Sequence, residues 1–255
     1  YDLYRKKKNL LSTKILDYDL FQNLNKLRVI YETEPEIVFE KEINLLNSNN
    51  LYNYNNITLL PDKNITDTNL LFWIEQRKDI IIKDYQIIVA PFSIEPNTKS
   101  FIKSSKLLIE NNSFCKNCAI YRYDEKDNKW IYQNTIINTS IFETDIYSGG
   151  IFSILIETDP PIINNITPRI DGKFKKENID KLTFTLYDKL SDINPYKIEI
   201  YLNNNKLFYD YIPYRNLVRC DILDYIQNGI NTLEIKATDN INNTTSVKGE
   251  FIIIE

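Results

Sequence analysis

A chain of 255 residues without a single histidine excludes Ser-His and Cys-His nucleophile pairs, histidine general bases and the His-containing zinc sites of most metallopeptidases. Its net charge of -4 comes from Lys and Arg scattered among Asp and Glu, so no basic stripe marks a nucleic-acid surface. Five glycines leave little material for a phosphate-cradling loop, and the Ile-, Tyr- and Phe-rich apolar set favours strands over helices.

In chain order, "YDLYRKKKNLLSTKI", "NKLRVIYET" and "EIVFEKEINLL" each read as extended, giving a partial N-terminal β segment over 1–55. Arg5 followed by Lys6-Lys7-Lys8 is the one basic run; it reads as a solvated strand end, with a phosphate or lipid-surface role as the alternative. The many Asn-x-Ser/Thr triplets, such as Asn64-Ile65-Thr66, arise by chance in so Asn-rich a chain and do not argue for glycosylation. No apolar run approaches the roughly 18 residues of a membrane span, and a start at Tyr1 without a charged-then-apolar leader suggests a processed or excised piece of something longer.

From 56 to 158 strands are expected at Leu70 to Glu75, Tyr85 to Val89, Lys106 to Ile109, Ala119 to Tyr123, Lys129 to Gln133 and Ile151 to Glu157. They make one β-sandwich, with Trp130 covering the end of a core. "GGIFSILIETDPPIINNITP" then spends two glycines and three prolines on a short stretch. Pro160-Pro161 cannot donate ladder hydrogen bonds and fix φ, so they end one sheet and keep the link to the next short and stiff.

From 159 to 255 the period-two signature is clean. Leu182, Phe184 and Leu186 alternate with Thr183 and Thr185; Ile198, Ile200 and Leu202 lead through Asn203-Asn204-Asn205 into an expected return strand; Leu233, Ile235 and Ala237 repeat the pattern before "SVKGEFIII" closes it. "LVRCDILDYIQ" has room for a single helical turn ended by Asn228-Gly229. About six or seven short strands in roughly 100 residues is the rhythm of an immunoglobulin-like sandwich. The fold expected is all-β: tandem β-sandwich domains, the C-terminal one immunoglobulin-like.

The stretch Asp159 to Asn243 also resembles bacterial immunoglobulin-like domains that follow the catalytic domain in some lysostaphin-type murein peptidases and occur in other envelope proteins. Three features carry it: Asp159-Pro160-Pro161; Asp188-Lys189-Leu190-Ser191-Asp192-Ile193, against the family's Asp-x-x-Ser-Gly-Ile; and Gly229 to Asn243, against Gly-x-Asn-x-Leu-x-Ile-x-Ala-x-Asp-x-x-Gly-Asn. Asp192 and Asn242 replace the family's glycines, and Asp and Asn are the residues other than Gly best able to hold a left-handed turn. "YQIIVAPFSIEPNTKSF" and "GGIFSIL" resemble the domain that often precedes this module. The resemblance implies a periplasmic or cell-surface place in a bacterial envelope and an accessory role. It carries over no catalytic residue, because the peptidases bind zinc through histidines.

Candidate sites are few. Cys115-x-x-Cys118 lacks the second pair a zinc site needs and lies before a strand rather than at a helix start; a small loop disulfide in an oxidising compartment, or a free pair, are the readings left open. Cys220 reads as a small buried hydrophobe. Asp159, Asp188, Asp192 and Asp239 fall in turns near the inter-domain joint, where they either ligate calcium or hydrogen-bond their own turns. Trp73, Trp130 and the tyrosines could stack on sugars, or pair across strands. The expectation is a non-catalytic spacer, scaffold or protein-docking region, with a protein partner in an envelope assembly, and with a calcium- or glycan-binding adhesin module, peptidoglycan included, as the alternative.

Overall fold

The computed structural model describes residues 12–15, 26–33, 36–46, 51–62, 70–97, 100–111 and 115–254. The first three of these are the strands β1 (Ser12–Ile15), β2 (Lys26–Thr33) and β3 (Glu36–Leu46). The basic run Lys6-Lys7-Lys8 and the triplet Asn64-Ile65-Thr66 lie outside the described residues. The described chain is all-β, with single 3-10 turns at Lys176–Asn178 and Pro213–Arg215 as its helical pieces.

The next ten strands are β4 (Tyr52–Tyr54), β5 (Ile57–Pro61), β6 (Leu70–Gln76), β7 (Gln86–Glu95), β8 (Ser100–Glu110), β9 (Cys118–Asp124), β10 (Lys129–Tyr132), β11 (Ile136–Asn138), β12 (Ile141–Ser148) and β13 (Gly150–Ile156). They form two antiparallel sheets, ordered β1-β2-β3-β6-β7-β13-β9-β10 and β11-β12-β8-β5-β4. N-terminal β3 thus joins the same sheet as β6, with Asn44 opposite Phe72. Each sheet turns alternate residues inward: Phe92, Ile94, Phe152 and Ile154 from one meet Leu59, Leu107, Ile109 and Phe142 from the other. Each such side chain contributes about 1.5–3 kcal/mol on leaving water.

The remaining strands are β14 (Ile162–Thr167), β15 (Lys173–Lys175), β16 (Lys181–Tyr187), β17 (Ile193–Leu202), β18 (Asn205–Lys206), β19 (Asp210–Ile212), β20 (Leu217–Asp221), β21 (Gly229–Asp239) and β22 (Thr244–Ile254). Sheets β14-β16-β20-β19 and β15-β22-β21-β17-β18 enclose a second core. Leu182, Phe184, Leu186 and Val218 pack there against Ile198, Ile200, Ile235 and Phe251. Only β15 and β22 among these pairs run parallel.

The return strand expected after Asn203-Asn204-Asn205 is only two residues long. Leu207 is buried in the second core and its amide still bonds Ile200, but the chain then leaves for the opposite sheet as β19. "LVRCD" is strand β20, paired with β16, and the helical spacing beyond it shrinks to one turn, closed by the Ile226 amide on the Ile222 carbonyl.

Asparagine and aspartate do the work of glycine in the turns. Asn55, Asn128, Asn165, Asp171, Asp192, Asn203, Asn204, Asn216 and Asn242 all have positive φ, with Asp192 at 60° and Asn242 at 75°. Their short polar side chains tolerate the left-handed region. Gly149 answers a different demand. It carries the chain from β12 across to β13 so close to other backbone that a Cβ there would stand 2.4 Å from the Ile94 carbonyl and 2.6 Å from that of Pro96.

Candidate functional site

Strand β13 is apolar on both faces. Phe152 and Ile154 point into the first core, while Leu155, with Ala119 and Tyr121 of neighbouring β9, forms an apolar patch on the other side of the sheet. Leu190 and Ile241, from two turns of the second sandwich, close over that patch and are 4% and 7% exposed. Ile82, Tyr85, Trp130 and Tyr132 border it. The two sandwiches therefore meet across a small buried joint beside the Glu157–Pro161 linker.

The turns that deliver Leu190 and Ile241 are built by aspartates. Asp188 Oδ1 accepts the Leu190 and Ser191 amides at 2.9 and 2.8 Å. Asp239 Oδ1 accepts those of Ile241 and Asn243 at 2.9 and 2.8 Å, and its Oδ2 accepts the Asn243 side-chain amide at 2.8 Å. Asn240 ties the turns together, donating to the Ser191 carbonyl at 2.8 Å. These are the self-satisfying side-chain turns that Asp and Asn favour, and here they set an apolar residue at each tip.

Asn243 is the polar centre of the joint. Beyond its bonds to Asp239, its Nδ2 lies 3.3 Å from the Glu157 carbonyl and 3.4 Å from that of Asp159. Its Oδ1 accepts from Asn117 Nδ2 at 2.7 Å, and the Asn117 carbonyl accepts the Glu157 amide at 3.0 Å. One side chain of the second sandwich thus reaches both the linker and the loop before β9.

Glu157 is 3% exposed, with the Tyr121 hydroxyl 3.5 Å from its Oε2. Burial, reinforced by the negative charges of Asp188 and Asp239 and partly offset by the Ser191 hydroxyl, pushes its carboxyl up to about 8, so it is predominantly neutral at pH 7. Burial raises Asp239 too, against the opposing effect of its Asn243 and Ile241 donors, and raises Asp192. The Tyr121 phenol is driven up by burial and then by Glu157.

Of the calcium candidates, the structure brings Asp188 and Asp239 to the joint, with three of their four oxygens accepting turn or side-chain donors. Asp192 contributes a backbone bend and its carbonyl, which accepts the Asn240 amide. Asp159 sits at the rim, 3.7 Å from Lys189. Among the described residues no group of three or more His, Cys, Asp or Glu side chains is placed to hold a metal ion. Cys115 and Cys118 are paired as a disulfide. Cys220 is buried, and burial pushes its thiol up to about 12, which removes it as a nucleophile at neutral pH.

The Trp130 ring meets that of Tyr123, its cross-strand partner, at 5.0 Å and a 49° tilt, and borders the joint; Trp73 lies half-buried in β6. Among the described residues the aromatic side chains most open to solvent are instead Tyr196, Phe208 and Tyr214, at 94%, 91% and 81% exposure. The tyrosines among these were candidates from the sequence, whereas Phe208, Glu157, Asn117, Leu190 and Ile241 were not. An apolar residue inside each Asp-led turn was the one available signal for the last two.

No family model matches the chain, and no curated protein matches it. Dimeric latent PorU from Porphyromonas gingivalis is similar at 13% identity and a TM-score of 0.30, over 67% of this chain and 23% of that one. The extracellular domain of BT4673 from B. thetaiotaomicron is similar at 11% identity and a TM-score of 0.25, over 90% of this chain and 36% of that one. The chain spans well under half the length of either protein, and similarity at these scores carries no functional argument. No helix among the described residues is long and apolar enough to cross a membrane.

Proposed function

We propose that the chain is a non-catalytic structural region of a bacterial envelope protein, in which two β-sandwich modules, a first that takes in the N-terminal strands and ends near 158 and the immunoglobulin-like 159–255, are held at a set angle to space, orient or dock a larger assembly. The joint carries this reading. A flexible linker would leave both module ends solvated, whereas here Leu190 and Ile241 are buried against β9 and β13, and Asn243 bonds the linker backbone. Ordering that set of groups costs conformational entropy, which the burial of Leu190 and Ile241 and the hydrogen bonds of Asn243 offset only while the modules stay docked. The absence of histidine and of any catalytic motif supports a non-enzymatic role. The disulfide and the family resemblance of 159–243 support the periplasm or cell surface, and a lysostaphin-type murein peptidase homologue fits as the parent protein.

Small-angle scattering tests the reading. A profile fitted by one conformer, unchanged from low to moderate salt, is expected; a profile that requires a broad ensemble of inter-module angles would overturn it.

The second reading is an adhesin or glycan-binding module, favoured by the solvent-facing rings of Tyr196, Phe208 and Tyr214, since apolar sugar faces stack on such rings. Replacing all three with alanine is then expected to abolish retention on peptidoglycan while leaving the melting temperature unchanged. Equal retention of the variant removes this reading.

A further inference from the structure

The loop that brings Asn117 to the joint is closed covalently. Cys115 and Cys118 lie with their Cα atoms 5.7 Å apart, inside the span a disulfide bridges without backbone movement, and the ring they close contains only Lys116 and Asn117. Asn117 acts in two directions from within that ring. Its carbonyl accepts the Glu157 amide at 3.0 Å, at the end of β13, and its side chain donates to Asn243 at 2.7 Å, in the second sandwich. Cys118 is buried at the edge of the first core, whereas Cys115 is only partly buried and open to a small reagent.

We propose that the Cys115–Cys118 disulfide is a redox-sensitive clamp on the joint: thiol reduction releases the angle between the two sandwiches without unfolding either. The inference rests on the reading that the joint fixes that angle. In the reduction, one thiolate of a dithiol attacks one cysteine sulfur, expels the other cysteine as a thiolate and leaves a mixed disulfide; the dithiol's second thiolate then attacks the dithiol's own sulfur in that mixed disulfide and expels the first cysteine. Two electrons pass to the protein, each cysteine takes up a proton, and the dithiol leaves as a cyclic disulfide. Asn117 afterwards keeps its hydrogen-bond partners but loses the ring that held it in place, so its bonds alone must offset the regained freedom of the loop. Neither core loses a side chain, because Cys118 continues β9 in its ladder with Ile156.

Amide hydrogen exchange of the full chain, oxidised and after treatment with dithiothreitol, tests this. In the oxidised protein the Glu157, Ile241 and Asn243 amides are expected to be protected. On reduction they should exchange about tenfold faster or more, while amides of Leu182 to Leu186 and Phe152 to Ile154 stay unchanged. The Asn117→Ala variant, kept oxidised, should reproduce the faster exchange at Ile241 and Asn243 with the disulfide intact, while the Glu157 amide keeps its bond to the residue 117 carbonyl; this covers the case in which reduction unfolds the chain. Unchanged protection at Ile241 and Asn243 in the reduced protein, or in oxidised Asn117→Ala, overturns the clamp. Fast exchange at those amides in the oxidised wild type overturns the fixed joint itself.

Discussion

Asn117 donates its side-chain amide to Asn243 at 2.7 Å across 126 residues of sequence. That bond joins the loop before β9 to the turn after β21, and every other polar contact of Asn243 lies at the same joint. Asn243→Ala removes an acceptor and a donor from a buried setting and leaves Asp239 Oδ2 and the Asn117 amide short of partners. A loss of about 1–3 kcal/mol is expected, read as a lower urea midpoint. A midpoint equal to wild type would show that the joint contributes nothing to stability.

Glu157 makes stability depend on pH. Its carboxyl titrates at about 8 in the fold against an ordinary 4.5, so the native state holds its proton more tightly than the unfolded chain. The contribution is fully present below about pH 4.5, shrinks as pH rises, and is lost above about 8. Asp239 and Asp192, also raised, act in the same direction. The melting temperature of wild type should fall between pH 5 and 9, and Glu157→Gln, which stays neutral, should flatten that slope. An equal slope in the variant would assign the dependence elsewhere.

Leu190 and Ile241 fasten the joint, whereas Phe184 fills the second core. Phe184→Ala should cost about 3–5 kcal/mol and unfold the second sandwich. Leu190→Asp places a charge against Leu155 and Tyr121 and should uncouple the modules instead. Calorimetry is expected to show two separate transitions in Leu190→Asp; one unshifted transition would mean that the patch is dispensable.

Gly149 has no room for a methyl group, since the two atoms nearest its Cβ position are the backbone oxygens of Ile94 and Pro96. Backbone yields less readily than a side-chain tip. Gly149→Ala should therefore destabilise the first sandwich by about 1–3 kcal/mol, visible as a lower melting temperature.

Calcium should change little. Asp188 and Asp239 already accept turn amides, and Asp159 faces solvent beside Lys189. Millimolar calcium or a chelator is expected to leave the melting temperature where it was; a rise with calcium that Asp239→Asn abolishes would restore a metal role.

Much of the architecture was legible because its causes are local. A strand shows itself through alternation within a few residues, so the expected strands from Leu70 onward correspond to β6, β7, β8, β9, β10 and β13. Strand β12, "IFETDIYS", escaped because its inward positions include Thr144 between Phe142 and Ile146, which blurs the apolar count. The Asp-led turns could be read for the same reason: Asp188 and Asp239 bond amides two to four residues ahead.

What the sequence by itself determined was thus most of the longer strands from Leu70 onward, the left-handed turns at Asp192 and Asn242, and the break at Pro160-Pro161. Only the tertiary structure decided that Leu190 and Ile241 are core rather than exposed turn tips, that Glu157 is a buried acid, and that Asn117 meets Asn243. Those outcomes depend on the outer face of β9 and β13 being covered by turns that follow much later in the chain, and no short window of sequence contains both partners. Burial is a property of the assembled pair of sandwiches, whereas alternation and turn chemistry belong to the chain alone.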